Sequence, residues 1–458
     1  MAASLNESGE FPRSFIVLAL FVLAFGLLAG LAGGLQYIIP GFMKHHLSFE
    51  RVRPMHVSAM VFWIILSASG GALTYVLQHN PRGRYSLPLL KLQFVLFSIA
   101  LIAILVSYCY GVFGGREYWE FPPAISLLIL ASWILFIINF IKALGTWKNQ
   151  PVFVWMWLTG LFFFLFTFLE SYLWLLPWFG NNVVNDMTIQ WKSYGSMVGS
   201  WNMLMNGCAI FLMDKISGTK TYGHSRIAFL LYFTGLFNLM FNWGHHIYTL
   251  PTHGYVKYIS YGVSMTELFI LGKIIYSWRS SLGTAKKFLH RSSYRFLFAA
   301  DVWIFVNLTL AIAMSVPGIN VYTHGTHVTV AHTMGATIGI NTFILLAVAY
   351  DILSDNCSGR ILHPAMVNRG LIISNVSLFV FWLSLIIAGV IKAKWQMDAE
   401  QVPFASMMAN LRPYFISFVV AGSALSVGLF MVIVPLLKSY FACLAKGGRY
   451  ATLRKAAA

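Results

Sequence analysis

The sequence predicts an all-α, polytopic membrane protein of about twelve transmembrane helices, and three observations predict it. First, the 458 residues are 58% hydrophobic and only 10% charged, with a mean hydropathy of +0.72. A water-soluble domain of that size could not hide so much apolar surface. Second, apolar runs of roughly 20 residues, the length a helix needs to cross about 30 Å of hydrocarbon, recur along the whole chain between short polar loops. Third, the basic residues fall unevenly on the two sets of loops. With the amino terminus inside, the inner loops and both tails carry 20 Lys and Arg against nine on the outer loops. That asymmetry places both termini in the cytoplasm.

The runs follow one another in order. The first, 14–39, is too long for a cleaved leader and lacks a convincing cleavage site, so it reads as a helix of the mature chain. The second, 55–77, opens PMHVSAM and is lined by Ser58, Ala59, Ser67, Ala68, Gly70, Gly71 and Ala72, small residues that let another helix or a flat ligand come close. Runs 89–112, 122–143 and 152–176 are strongly apolar. The sixth, 191–213, is diluted by Lys192, Asn202 and Asn206. The seventh, 227–249, ends in NWGHH; the eighth and ninth are 256–277 and 297–316. The tenth, 328–351, follows THGTH, and the eleventh and twelfth are 370–391 and 414–437. Nothing between them is long enough to fold alone, so residues 1–458 read as one membrane domain. A short cytoplasmic N-terminus, 1–13, precedes it, and a basic tail, 438–458, follows the last run.

The net charge of +17 is accounted for by this topology, which leaves no case for nucleic-acid binding. The four cysteines, Cys109, Cys208, Cys357 and Cys443, form no CxxC, CxxCH or zinc spacing, so covalent haem attachment and thiolate metal sites are not expected.

Ionisable groups inside a bilayer are costly and persist where they have a partner or a task. His56 stands near the outer end of the second run. His245 and His246 are adjacent at the outer end of the seventh. Neighbours on an α-helix lie about 100° apart, so both imidazoles reach one metal only if the helix end distorts or the metal sits between them. In the tenth run His332 and Met334 are two residues apart, about 200° round a helix, so one helix could ligate two haems on opposite faces. Met334 is equally a gap-filling core residue, and paired interfacial histidines can simply bind loops or lipid headgroups.

Together these segments resemble the large subunit of cytochrome c-dependent nitric oxide reductases and, more distantly, that of cbb3-type oxidases, both in the haem-copper oxidase superfamily. The resemblance runs from about Gly34 to Tyr350. THGTHVTVAH is close to the family's THGTQLTAAH, and GHH followed by Gly254 and Tyr255 matches its double-histidine segment. The resemblance implies a subunit I-like helical bundle with His56 as a ligand of a low-spin haem b and His332 at the other matching haem position. Met334 stands where the family has a second low-spin ligand, leaving His332 to a high-spin haem b. It implies His245 and His246 as ligands of a non-haem metal, iron or copper. GREYWEFP, 115–122, matches a periplasmic loop whose last acid, here Glu120, helps bind calcium. Glu267, 23 residues beyond Gly244, aligns with a family glutamate near the binuclear centre and is expected to deliver protons.

The pattern also breaks. The family's third non-haem metal ligand is a histidine on helix six, where an ungapped match through MLMNGCAIFLMDKISG puts Tyr194; Val198 and Asn202 replace two glutamates. Tyr194 phenolate, an asparagine carbonyl, water or nothing would then complete the metal's shell. An oxygen-reducing oxidase is disfavoured by the absence of a helix-six His and by Leu239 in the place of the cbb3-type tyrosine. A His/Met low-spin haem implies a raised reduction potential. The expected activity is reduction of NO to N2O in a bacterial inner membrane, with electrons from a cytochrome c or copper-domain subunit. NO dismutation, an atypical terminal oxidase, and a non-catalytic haem sensor or electron-transfer subunit are the rivals.

Overall fold

The computed structural model describes residues 10–269, 272, 283, 287–356 and 361–456. Its helices are α1 Pro12–Ile38, α2 Phe49–His79, α3 Leu87–Cys109, α4 Ser126–Leu144, α5 Val152–Glu170 and α6 Val183–Ser217. Then come α7 Arg226–Phe241, α8 Gly254–Met265 and α9 Ser292–Ser315. Helix α10 is continuous through His327–Met334, a π-helical stretch Gly335–Thr342, and Phe343–Asn356. Helices α11 Pro364–Met397 and α12 Phe404–Ala456 complete the bundle.

Local chemistry sets several of these boundaries. Proline occupies the first turn of α1, α3 and α11, where its missing N–H costs nothing. Asn182 caps α6 by accepting from the amides of Val184 and Asn185, and Gly218 closes the helix in the left-handed conformation at φ 69°, which glycine adopts without strain. Ser225 caps α7 and Thr326 caps α10 in the same way as Asn182.

Among the described residues ten helices are long and apolar enough to cross a membrane. The two further expected spans are α6, long enough at 35 residues but diluted by polar groups, and 256–277, described only in part. The last helix differs from expectation. It starts ten residues before 414 and continues to Ala456 with Pro413 and Pro435 inside it, so the basic tail extends the helix. Internal prolines are tolerated in such helices because neighbours re-satisfy the freed backbone groups.

Helix α2 is the inner element: 89% of its most apolar window is buried, against 50% for α1. Its neighbours are α1, α3, α4, α6 and the later part of α10. Outward faces carry Leu127, Ile102, Ile372, Val376 and Val420, all exposed, the surface expected of a bundle solvated by lipid tails. At the end of the inner helices remote from His56, Lys215 Nζ donates to Asp351 Oδ2 at 2.8 Å and Asp355 Oδ2 at 2.7 Å, and Tyr75 donates to Asp351 at 2.9 Å. This network ties α2, α6 and α10 together. Deeper between α2 and α10, Trp63 Nε1 donates to Thr342 Oγ1 at 3.1 Å. His56 lies seven residues before Trp63 and Met334 eight before Thr342, so this bond sets His56 and Met334 at nearly one depth, about two turns further from the Lys215 end.

Candidate haem and metal centre

His56 is held by a backbone carbonyl. Its Nδ1 lies 2.8 Å from the Gly26 oxygen; the carbonyl can only accept, so Nδ1 carries the proton and Nε2 is left as the ligand atom. Close approach of α1 makes this bond possible. A Cβ on Gly30 would lie 2.8 Å from the His56 ring, and one on Gly26 would strike Met60. Any side chain at Gly30 would displace the imidazole, so the Gly26, Gly30 ladder on α1 is part of the site.

His332 sits in the last α-helical turn before the π stretch, with Met334 at its end. Widening of a helix to π geometry is frequent at functional sites. Here it is accommodated by glycines packed on α9: Cβ atoms at Gly335 and Gly339 would lie 2.3 Å from Asn307 Oδ1 and 2.5 Å from the Trp303 ring. His332 Nδ1 is buried without a hydrogen bond of normal geometry.

The adjacent histidines lie where the helix changes character. Helix α7 stops at Phe241, and Asn242–Ile247 winds into a 3-10 helix, the kind of helix-end distortion that adjacent ligands require. The two rings have centroids 4.2 Å apart, tilted by 44°. His245 Nδ1 lies 3.0 Å from Asn242 Oδ1, an acceptor, which again leaves Nε2 free. Asn320 donates to the His245 carbonyl at 3.2 Å. Trp191, which stacks on His246, also meets His324 edge-on at 6.3 Å, so the pair lies beside the segment 320–324 that leads into α10.

Tyr194 is placed differently from its expected role. Its ring packs edge-on against Tyr118 at 5.4 Å, with Tyr172 and Glu120 nearby. The parts of α6 that meet His246 are Trp191, stacked on the imidazole at 4.9 Å and 14°, and Gly195, whose Cβ would lie 3.9 Å from the His246 ring. Tyr194, between these two positions in sequence, sends its ring to Tyr118. Asn202, on the Trp191 stripe, keeps a buried Oδ1 with no hydrogen bond. Among the described residues no cluster of three or more His, Cys, Asp or Glu is arranged for a metal.

Glu267 is connected to this pair through one side chain. Asn242 Nδ2 donates to Glu267 Oε1 at 3.1 Å, while Asn242 Oδ1 serves His245. Neither Asn242 nor Trp191 was evident from the motifs, although each lies three residues before a candidate ligand.

Glu120 anchors the loop between α3 and α4. Arg53, one turn before His56, donates to Glu120 Oε1 at 2.9 Å and to Glu117 Oε1 at 2.6 Å. Glu120 Oε2 is buried with no hydrogen-bond partner among the described residues. Burial raises the Glu120 carboxyl above its ordinary range, opposed by the Arg53 charge; burial likewise pushes the Tyr118 phenol up to about 12. Calcium takes six to eight oxygens, and the two carboxylates of this loop each already give one oxygen to Arg53, so calcium does not fit on these side chains alone. Because the folded carboxyl titrates above its unfolded value, its contribution to stability is full below about pH 4.5 and is lost as pH rises through the raised value. Thermal melts of wild type and Glu120→Gln between pH 4 and 8 check this: the wild type should lose stability relative to the variant as pH rises across that window.

The chain matches the family model described as cytochrome c and quinol oxidase polypeptide I over residues 12–424. It is 22% identical to a nitric oxide reductase subunit of Stutzerimonas stutzeri, covering 74% of each chain. It is also 22% identical to a cytochrome c oxidase subunit 1 homolog of Agrobacterium tumefaciens (strain T37), over 87% of this chain and 77% of the relative. A cbb3-type cytochrome c oxidase subunit of Stutzerimonas stutzeri is 23% identical over 60% of this chain and 53% of its own length. The fold matches a heme-copper terminal oxidase dimer seen by cryo-EM, with a TM-score of 0.72 at 15% identity, covering 95% of this chain and 84% of that one.

Proposed function

Since the chain belongs to the cytochrome c and quinol oxidase polypeptide I family, an oxidoreductase family of integral membrane proteins that binds haems and a metal centre, we propose that it is the catalytic subunit of a nitric oxide reductase-like complex of a bacterial inner membrane. Both termini face the cytoplasm, and the whole chain, 1–458, forms the one catalytic domain. One observation carries this reading: a two-histidine turn is tied by Asn320 to the segment that leads into the helix bearing His332, with a glutamate hydrogen-bonded to the same turn.

In this reading His56 and Met334 hold a low-spin haem b, His332 holds a high-spin haem b, and His245 and His246 hold a non-haem iron or copper. The free Nε2 of His56, the glycine cradle around its ring and the free Nε2 of His245 suit these roles. When bound, these groups supply electrons and a Lewis acid; the balanced reaction is two NO, two electrons and two protons giving N2O and water. The chain's own part is to orient and to hold protons. Gly26 and Asn242 fix the tautomers of His56 and His245, Trp191 pins the His246 ring, and Glu267 holds a proton within the site. A cytochrome c or copper-domain subunit delivers electrons at the outer face, where His56 and Met334 lie.

Total iron and copper against pyridine-haemochrome haem in the purified complex tests the cofactor set, after correction for co-purifying subunits. Two haems and one additional iron or copper per chain are expected. Two haems with no third metal would move the chain to sensing or electron transfer. A second reading, oxygen reduction, draws on the cytochrome c oxidase relatives; oxygen uptake with a reduced donor and no NO consumption would establish it.

A further inference from the structure

We infer that Asn242 is a positioning residue with two separable tasks: its amide oxygen holds the His245 imidazole, and its amide nitrogen holds the Glu267 carboxyl. The inference rests on His245 being a ligand of the non-haem metal. Four hydrogen bonds converge on the side chain and carbonyl of this one residue. Oδ1 takes the His245 Nδ1 proton at 3.0 Å and also accepts from Ser264 Oγ. Nδ2 donates to Glu267 Oε1 at 3.1 Å. The Asn242 backbone carbonyl accepts from Ser260 Oγ at 2.9 Å.

Ser260 and Ser264 stand one turn apart on α8 and are both fully or almost fully buried. Helix α8 therefore grips the first residue of the 3-10 turn at two points, and Gly244 lets it close in, since a Cβ there would lie 2.8 Å from Ser260 Cβ. Glu267 follows immediately after this helix, so the same clamp sets the distance between the histidine and the acid.

An amide suits this position because it is both donor and acceptor. The oxygen fixes the His245 tautomer with Nε2 unprotonated, and the nitrogen offers Glu267 a donor without a charge of its own. An amide does not pass a proton along, so Asn242 joins the two groups by position: a shift of either is felt by the other through one rigid side chain.

The isosteric Asn242→Asp keeps the acceptor toward His245 and Ser264 and removes the donor toward Glu267; Asn242→Ala removes both. In the full complex, non-haem metal retained against graded EDTA is measured per haem, together with NO consumption in H2O and D2O. In Asn242→Ala, metal affinity should fall by roughly 10–100-fold, the usual cost of losing a partner that orients a ligand, with both haems kept. In Asn242→Asp the metal should resist EDTA as in wild type, while turnover falls by roughly 10–100-fold and its solvent isotope effect rises. Wild-type metal retention and turnover in Asn242→Ala would overturn this inference and leave the two-histidine metal site standing. Loss of haem together with metal in both variants would make Asn242 a folding residue and also overturn it. A wild-type complex with no third metal would overturn the metal-site reading and this inference with it.

Discussion

Replacing His245 and His246 together by alanine should leave both haems in place and abolish NO consumption. In the proposed assignment the pair supplies the imidazoles of the non-haem metal, while Tyr194 packs against Tyr118 and Trp191 lies flat against His246. Losing an outer partner of a metal ligand costs roughly 10–100-fold in affinity or activity; losing both ligands removes the site, so the fall must exceed that range. The haems should survive because neither histidine is assigned to one and the turn is held by bonds that do not use the rings, from Ser260 to the Asn242 carbonyl and from Asn320 to the His245 carbonyl. The haem spectrum of the variant complex, recorded beside its NO consumption, separates the two effects. A double variant with wild-type turnover would show that the pair has no part in the chemistry.

Replacing His332 by alanine should lower haem from two per chain to one and remove the high-spin spectrum, while the low-spin spectrum remains. His56→Ala should do the converse. The asymmetry follows from the proposed assignment: His332 is given to the high-spin haem, whereas His56 is level with Met334, through the Trp63 to Thr342 bond, and is held by the carbonyl of Gly26. Pyridine haemochrome and the reduced-minus-oxidised spectrum of each variant decide it. If either substitution removed both haems, or neither, the division of the haems between the two positions would be wrong.

The hydropathy of the chain was sufficient for the all-helical membrane fold, because a lipid-spanning helix is encoded by the length of its own apolar run and needs no distant partner to be recognised. The extent of α12 was not legible. An apolar run marks the part of a helix inside hydrocarbon, and α12 continues past that part at both ends. Helix α6 was hard for a related reason: its polar residues lower its hydropathy while its cap at Asn182 and stop at Gly218 still make it one helix.

Within the site, what could be read was residue type and local spacing. For the pair His245, His246 to share one metal, either the helix end distorts or the metal sits between the rings, and the 3-10 turn Asn242–Ile247 is a distorted end. Rotation about a helix axis could not be read from an ungapped match, which put Tyr194 where the packed helix turns Trp191 and Gly195 toward His246. Arg53 and Glu120 are 67 residues apart in sequence, and their pairing depends on how the loop after α3 folds back over α2. Gly26 and Gly30 carry no motif of their own; their duty toward His56 appears only when α1 is laid against α2.

The most direct test of the central claim is product analysis: the purified complex, reduced anaerobically with an artificial electron donor, is given a measured amount of NO, and the headspace gases are quantified. Reduction at a two-haem and non-haem metal centre should yield one N2O for every two NO consumed, with no oxygen formed. NO that is bound but not consumed, or oxygen released from it, would contradict the assignment.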